Sequence, residues 1–417
     1  MRKRVISWLL TVVMVVSMLP TSVLADTLAA DQEQQTQQEQ IAPVDTENTV
    51  PAGNEETQEQ QEPAEEVPVS RSARSGGAAL ALAEGTVSSA KEFAAMDAGG
   101  SYTLTKDIIV TEPYASDFTG TFDGNGHTIS NLNVVGTQML SGLFGVTANA
   151  TVSNVTFKNL TVEGSVMVGA IGYTYCSTVE NVAVDGATVH GVDAFAEVGY
   201  PAQMIGALTG ASMDSVYSGC AVSNVTMTVD SNPEAQDLFS GAQNCGILGG
   251  GFEGSSLSDC TVSNSTLTVS GDYCYGIGGM NGCVMTGEYY RNCAVSNVTV
   301  KTGNHADLIG GAVGYTGNID GAVTEVSNAS TTNVTVSVGD NASRIGGIIG
   351  GPFFFEEYAA YYPNPTCYAL TNCASDGVVE VGENSTAVGA VAGYAYQLKS
   401  ENVTTTLSLP LIGEEAE

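Results

Sequence analysis

Basic side chains are scarce in this 417-residue chain: 12 Lys and Arg against 45 Asp and Glu, with 3 histidines. Arg2, Lys3 and Arg4 lie at the very start, so beyond residue 25 the balance is 9 basic to 45 acidic groups, or −36. So negative a chain repels phosphate backbones and anionic headgroups, which argues against nucleic acid and acidic lipid as partners. Tryptophan occurs once, as Trp8, so any sugar-stacking platform further on must use Tyr or Phe. His127, His190 and His305 are far apart in sequence. They read as a turn-rich strand residue and two loop residues, with no ligand spacing to Cys or a carboxylate. No metal site, cofactor or catalytic residue is therefore assigned. Long apolar runs are also missing, save Val5 to Leu19.

That run, with the basic start and the small residues of Val23-Leu-Ala25, reads as a cleaved export signal over 1–25. Fifteen positions are short for a membrane span of about 20 residues. No integral membrane segment is expected after cleavage. Residues 26–85 read as a disordered acidic linker, because 26–75 hold 12 acids, 9 glutamines and no aromatic ring. Such a stretch buries too little apolar surface to offset chain entropy. Residues 86–141 read as an N-terminal cap with the first strands. Ser89-Ala-Lys-Glu92 has capping-box spacing and predicts a short helix.

What is abundant is glycine, 49 residues, placed periodically. Gly142-Leu-Phe-Gly145, Gly169-Ala-Ile-Gly172, Gly206-Ala-Leu-Thr-Gly210, Gly246-Ile-Leu-Gly-Gly250, Gly278-Gly-Met-Asn-Gly282, Gly310-Gly-Ala-Val-Gly314, Gly346-Gly-Ile-Ile-Gly350 and Gly389-Ala-Val-Ala-Gly393 form one series. Each is followed by a small apolar anchor: Val155, Val182, Cys220, Cys260, Cys293, Ala329, Cys373 or Val403. Four residues on stands Asn159, Gly186, Asn224, Asn264, Asn297, Asn333 or Gly377. Asn and Gly tolerate a left-handed backbone, so each coil is expected to bend there. Each unit then reads as three strands: the glycine run, a short anchor strand, and an alternating strand such as Val225-Thr-Met-Thr-Val229. Stacked units bury one another's apolar faces. The expected fold is all-β, a right-handed parallel β-helix of about eight coils over 142–410, with an acidic tail at 411–417.

Tyr102-Thr-Leu-Thr-Lys-Asp-Ile108, Gly120-Thr-Phe-Asp-Gly-Asn-Gly-His-Thr-Ile-Ser-Asn-Leu132, Gly142-Leu-Phe-Gly145 and Val155-Thr-Phe157 together resemble GLUG-motif repeat proteins. The resemblance covers about 86–410. It implies a secreted or cell-surface bacterial β-helix, often adhesin-like. Some relatives join such repeats to a zinc protease, but this chain has no His-Glu-x-x-His.

The chemistry-bearing residues point the same way. Residues 86–417 carry seven basic side chains, too few for a wall that stabilises developing negative charge. Asp123-Gly-Asn-Gly126 reads as a turn, since a calcium loop needs a bidentate Glu. The cysteines at 220, 260, 293 and 373 share a slot with Val and Ala, which favours packing, although a disulfide between neighbouring coils is sterically conceivable. The distance from the last motif glycine to the anchor is ten residues in five units but 11, 15 and 23 in coils five to seven. These insertions should share one face and carry Phe353, Phe354, Phe355, Tyr358, Tyr361, Tyr362, Tyr289 and Tyr290 as candidate ligand-binding aromatics. The opposite reading folds those rings back over the rod. The expectation is a non-enzymatic exported interaction module binding a glycan or protein on a host or neighbouring cell. The alternatives are a β-helical polysaccharide lyase or glycoside hydrolase, and a purely structural stalk.

Overall fold

A computed structural model describes residues 83–135, 139–285, 289–317, 323–352, 368–395 and 398–410. The chain divides into two units, Met1–Leu80 and Ala81–Glu417, and every described residue belongs to the second. The expected signal and nearly all of the linker lie outside the described residues, as does the tail. Order begins slightly before residue 86, because Glu84–Val87 is a strand paired with Ser101–Leu104.

The second unit is a parallel β-helix. Every strand pair is parallel, and the strands stack into sheets of 11, 14, 7 and 7 members. The 11-stranded sheet counts eleven rungs against the eight coils read from the glycine series. The difference is Glu84–Val87, Ser101–Leu104 and Thr121–Asp123, which form rungs without carrying the motif. At about 4.8 Å per rung, ten steps span roughly 48 Å.

One early coil shows the path. Ile171–Tyr175 leads to Thr178–Glu180, Ala183–Asp185, Thr188–Gly191 and Gln203–Ile205, after which Thr209–Met213 starts the next rung. Five segments replace the three expected. From Thr261–Ser270 onward the third and fourth fuse into one long strand. The glycine run is not itself a strand. It is the sharp corner between the two seven-stranded sheets, as Gly206 to Gly210 joins Gln203–Ile205 to Thr209–Met213.

Corners are set by residues that accept positive φ. They recur every five residues: Asn149, Asn154, Asn159; Cys176, Asn181, Gly186; Asp214, Gly219, Asn224; Gly254, Asp259, Asn264. All seven bend residues anticipated four places beyond the anchor are left-handed. The residue just before each anchor is left-handed too, which the motif spacing did not disclose. Asparagine at these corners also explains the Asn-x-Ser/Thr triplets, since the asparagine of all eleven has positive φ.

Between corners the pleat alternates. Val225, Met227 and Val229 are buried while Thr226 and Thr228 are not. Val152, Val179, Tyr217, Leu257, Tyr290, Val326 and Leu370 stack as one inward column of the 11-stranded sheet. Helix Ala90–Ala94 covers the first coil. Ser89 accepts from the Glu92 amide, and the Glu92 carboxylate accepts from the Ser88 amide and hydroxyl. Its Phe93 packs edge-on against Tyr114, Phe122 and Phe144. A second short helix, Phe195–Val198, was not foreseen.

Candidate interaction corner

The insertions of coils five to seven emerge at one corner. Residues 286–288, 318–322 and 353–367 each follow a strand of one seven-stranded sheet: Asn281–Met285, Val313–Gly317 and Ile349–Pro352. Each precedes a strand of the 11-stranded sheet: Tyr289–Arg291, Thr324–Ser327 and Tyr368–Thr371. Those strands pair rung to rung, so the three connections leave from equivalent places. Phe353, Phe354, Phe355, Tyr358, Tyr361 and Tyr362 lie outside the described residues.

Tyr289 and Tyr290 are described, and alternation sends them opposite ways. Tyr290 belongs to the inward column and is 0 % exposed, with its hydroxyl 2.9 Å from Met280 Sδ. Burial pushes its pKa well up. Its expected ligand-binding role is therefore corrected to core packing. Tyr289 sits on the outer face and is half-buried. Arg291 is two residues along on the same side, its guanidinium carbon 4.3 Å from the Tyr289 ring centroid. Arg291 Nη2 donates to Glu325 Oε2 at 2.7 Å on the next rung. An aromatic ring, a cation and a carboxylate thus stand together on rigid strands. The pair offers donors and acceptors to hydroxyl or amide groups.

Other expected features resolve as structure. Asp123 Oδ1 accepts from the Asn125 amide at 2.8 Å and the Asn154 side chain at 3.0 Å, within a turn whose Asn125 and Gly126 have positive φ. The eight described cysteines are free thiols, seven of them buried. Burial pushes Cys274 up to about 12 and Cys283 to about 11. Among the described residues no group of three or more His, Cys, Asp or Glu is arranged to hold a metal ion.

His190 needs correction. It lies within strand Thr188–Gly191 rather than a loop, and two carboxylates engage it. Register supplied the missing signal: Glu163 stands opposite His190 across the rung. His305, at a corner with positive φ, stacks on Tyr273 with ring centroids 4.5 Å apart. Burial and then the charge of Asp214 push the Glu253 carboxyl up.

No family model matches the chain, and no curated protein sequence matches it. Several solved structures share similarity. One is a Bacteroides ovatus protein provisionally assigned as an immunoglobulin A1 protease, at 16 % identity and TM-score 0.41, covering 61 % of this chain and 76 % of that one. A structure named IgA1 protease shows 16 % identity and TM-score 0.39, covering 76 % of this chain and 21 % of that chain. The L. reuteri 53608 SRRP shows 14 % identity and TM-score 0.31, covering 78 % and 99 %.

Proposed function

We propose that the chain is an exported bacterial β-helix of the GLUG-repeat kind, a non-enzymatic, adhesin-like module at the cell surface or outside the cell. It binds a glycan or protein through the corner that carries Tyr289 and the three insertions. The observation that carries this reading is that three successive coils lengthen the same connection beside an outward Tyr289–Arg291–Glu325 group. The leader-like residues 1–25 support export. Among the described residues no helix is long and apolar enough to cross a membrane.

The test is a glycan and protein array probed with wild type, with Tyr289→Ser, and with Phe353, Phe354, Tyr361 and Tyr362 changed to Ser. Loss of one ligand class in both variants, with the circular dichroism unchanged, supports the proposal. Binding equal to wild type in both ends it. Tyr290→Ser is no substitute, since emptying a core site costs about 3–5 kcal/mol. A carbohydrate-active enzyme is the second reading, favoured by the raised Glu253 carboxyl beside Asp214. Hydrolysis of a polysaccharide panel that disappears in Glu253→Gln would establish it.

A further inference from the structure

Two long connections outside that corner are 192–202 and 231–242. They follow strands Thr188–Gly191 and Thr226–Asp230, which pair with each other in the 14-stranded sheet. Both are pinned at their roots. Val192 donates its amide to Gly164, and Asp193 accepts from the Phe195 amide at the start of helix Phe195–Val198. In the second insertion, Ser231 accepts from the Ala242 amide and donates its hydroxyl to the Asp272 carbonyl, closing the loop. The first insertion presents Phe195, which is 39 % exposed. The second is edged by Glu234 and Asp237.

His190 lies between these roots. Its Nδ1 is 3.0 Å from Glu163 Oε2 on the rung before, and its Nε2 is 2.9 Å from Asp230 Oδ2 on the rung after. Asp230 Oδ1 in turn accepts from the Ser270 hydroxyl at 2.9 Å. One imidazole thus ties three coils together, and a fourth follows through Asp230. We propose that His190 is a proton-operated latch on insertions 192–202 and 231–242, holding their roots together when charged and releasing them when neutral.

The chemistry follows from the donor count. Imidazolium donates from both nitrogens and satisfies both carboxylates, whereas neutral imidazole has one donor and one lone pair. After deprotonation one carboxylate faces that lone pair, and Glu163 and Asp230 lose the cation between them. The charged groups acting on His190 are these two. Asp193, in the first insertion, is pushed up by burial and by the charge of Asp230, so it adds to the repulsion. Burial disfavours the imidazolium, and the two carboxylates outweigh it, leaving His190 above its ordinary 6.5. Stability from a raised group is complete below the unfolded value and is lost as pH rises through the folded one. The latch is therefore closed below pH 6.5 and opens as pH rises through the raised His190 pKa.

The test joins an NMR titration of His190 to amide hydrogen exchange over 192–202 and 231–242, at pH 5.5 and 8.5, with intrinsic rates corrected. Wild type should titrate above 6.5 and lose protection in both insertions at the higher pH. The loss should reach up to about tenfold for every pH step of one by which the closed latch raises the His190 midpoint. His190→Gln should show equal protection at both pH values. Should that variant not fold, Glu163→Gln supplies the reading by lowering the His190 pKa. A His190 pKa at or below 6.5 overturns the proposal, as does pH-independent protection in wild type. Neither readout involves the Tyr289 corner, so the latch and the binding reading fail separately.

Discussion

Asn372 donates its side-chain amide to the side-chain carbonyl of Asn328 one rung earlier, at 3.2 Å, and Asn328 donates to Asn292 at 2.8 Å. The line continues from Asn402 to Asn372 at 3.0 Å and from Asn292 to Asp259 at 3.1 Å. Each of these residues also holds positive φ, so the side chain that turns one corner also links it to the next.

Asn328 is therefore expected to separate the two contributions. Asn328→Ala removes both ladder bonds and forces an alanine into the left-handed region, a loss of about 2 kcal/mol. Asn328→Gly removes the bonds but keeps the backbone relaxed, a loss of about 1 kcal/mol. Urea midpoints measure the difference. Equal losses would show that strain at the corner is negligible.

Gly314 and Gly145 hold the same place in the repeat but not the same surroundings. A Cβ on Gly314 would collide with backbone atoms of Gly282, Gly276 and Ile277. A Cβ on Gly145 would meet no atom of the described residues within 4 Å beyond its chain neighbours. Gly314→Ala should cost about 3 kcal/mol, and Gly145→Ala no more than about 0.5 kcal/mol, by thermal or denaturant unfolding.

Thiol labelling should distinguish Cys176. It is exposed, while the other seven described cysteines are buried. Burial still pushes its pKa up, so alkylation of the folded protein should be slow at pH 7 and several times faster at pH 9. Peptide mass spectrometry should find Cys176 modified before Cys220, Cys260 or Cys293, and the reverse order would contradict this packing.

Asp376 gives an acid-side prediction. Its carboxylate accepts from the Thr406 hydroxyl at 2.8 Å and the Asn333 amide at 3.1 Å, and both bonds lower its pKa. A lowered carboxyl stabilises above its unfolded value of 3.8, and that contribution is lost as pH falls through the folded value. Amide exchange over 404–408 should accelerate, after intrinsic correction, between pH 4.5 and 2.5. Asp376→Asn should blunt that change.

The coiled architecture was legible because its signals are local and repeated: glycine runs, a ten-residue interval, and Asn or Gly at the bend. Helix Ala90–Ala94 was legible for the same reason, from the Ser89 and Glu92 spacing. What escaped depends on contacts between rungs. The Asn149, Asn154, Asn159 interval of five became evident only once a sheet was seen between each pair of corners. The inward turn of Tyr290 follows from its register with Leu257, which a lone Tyr289-Tyr290 pair does not disclose. His190 looked isolated because its two partners are 27 and 40 residues away in sequence.

The same corner accepts two residues between Tyr175 and Thr178 and fifteen between Pro352 and Tyr368, yet the flanking rungs keep their pairing. Loop length and scaffold integrity are thereby uncoupled. Segments of very different length can be spliced into this socket without re-solving the folding problem, on an unaltered frame.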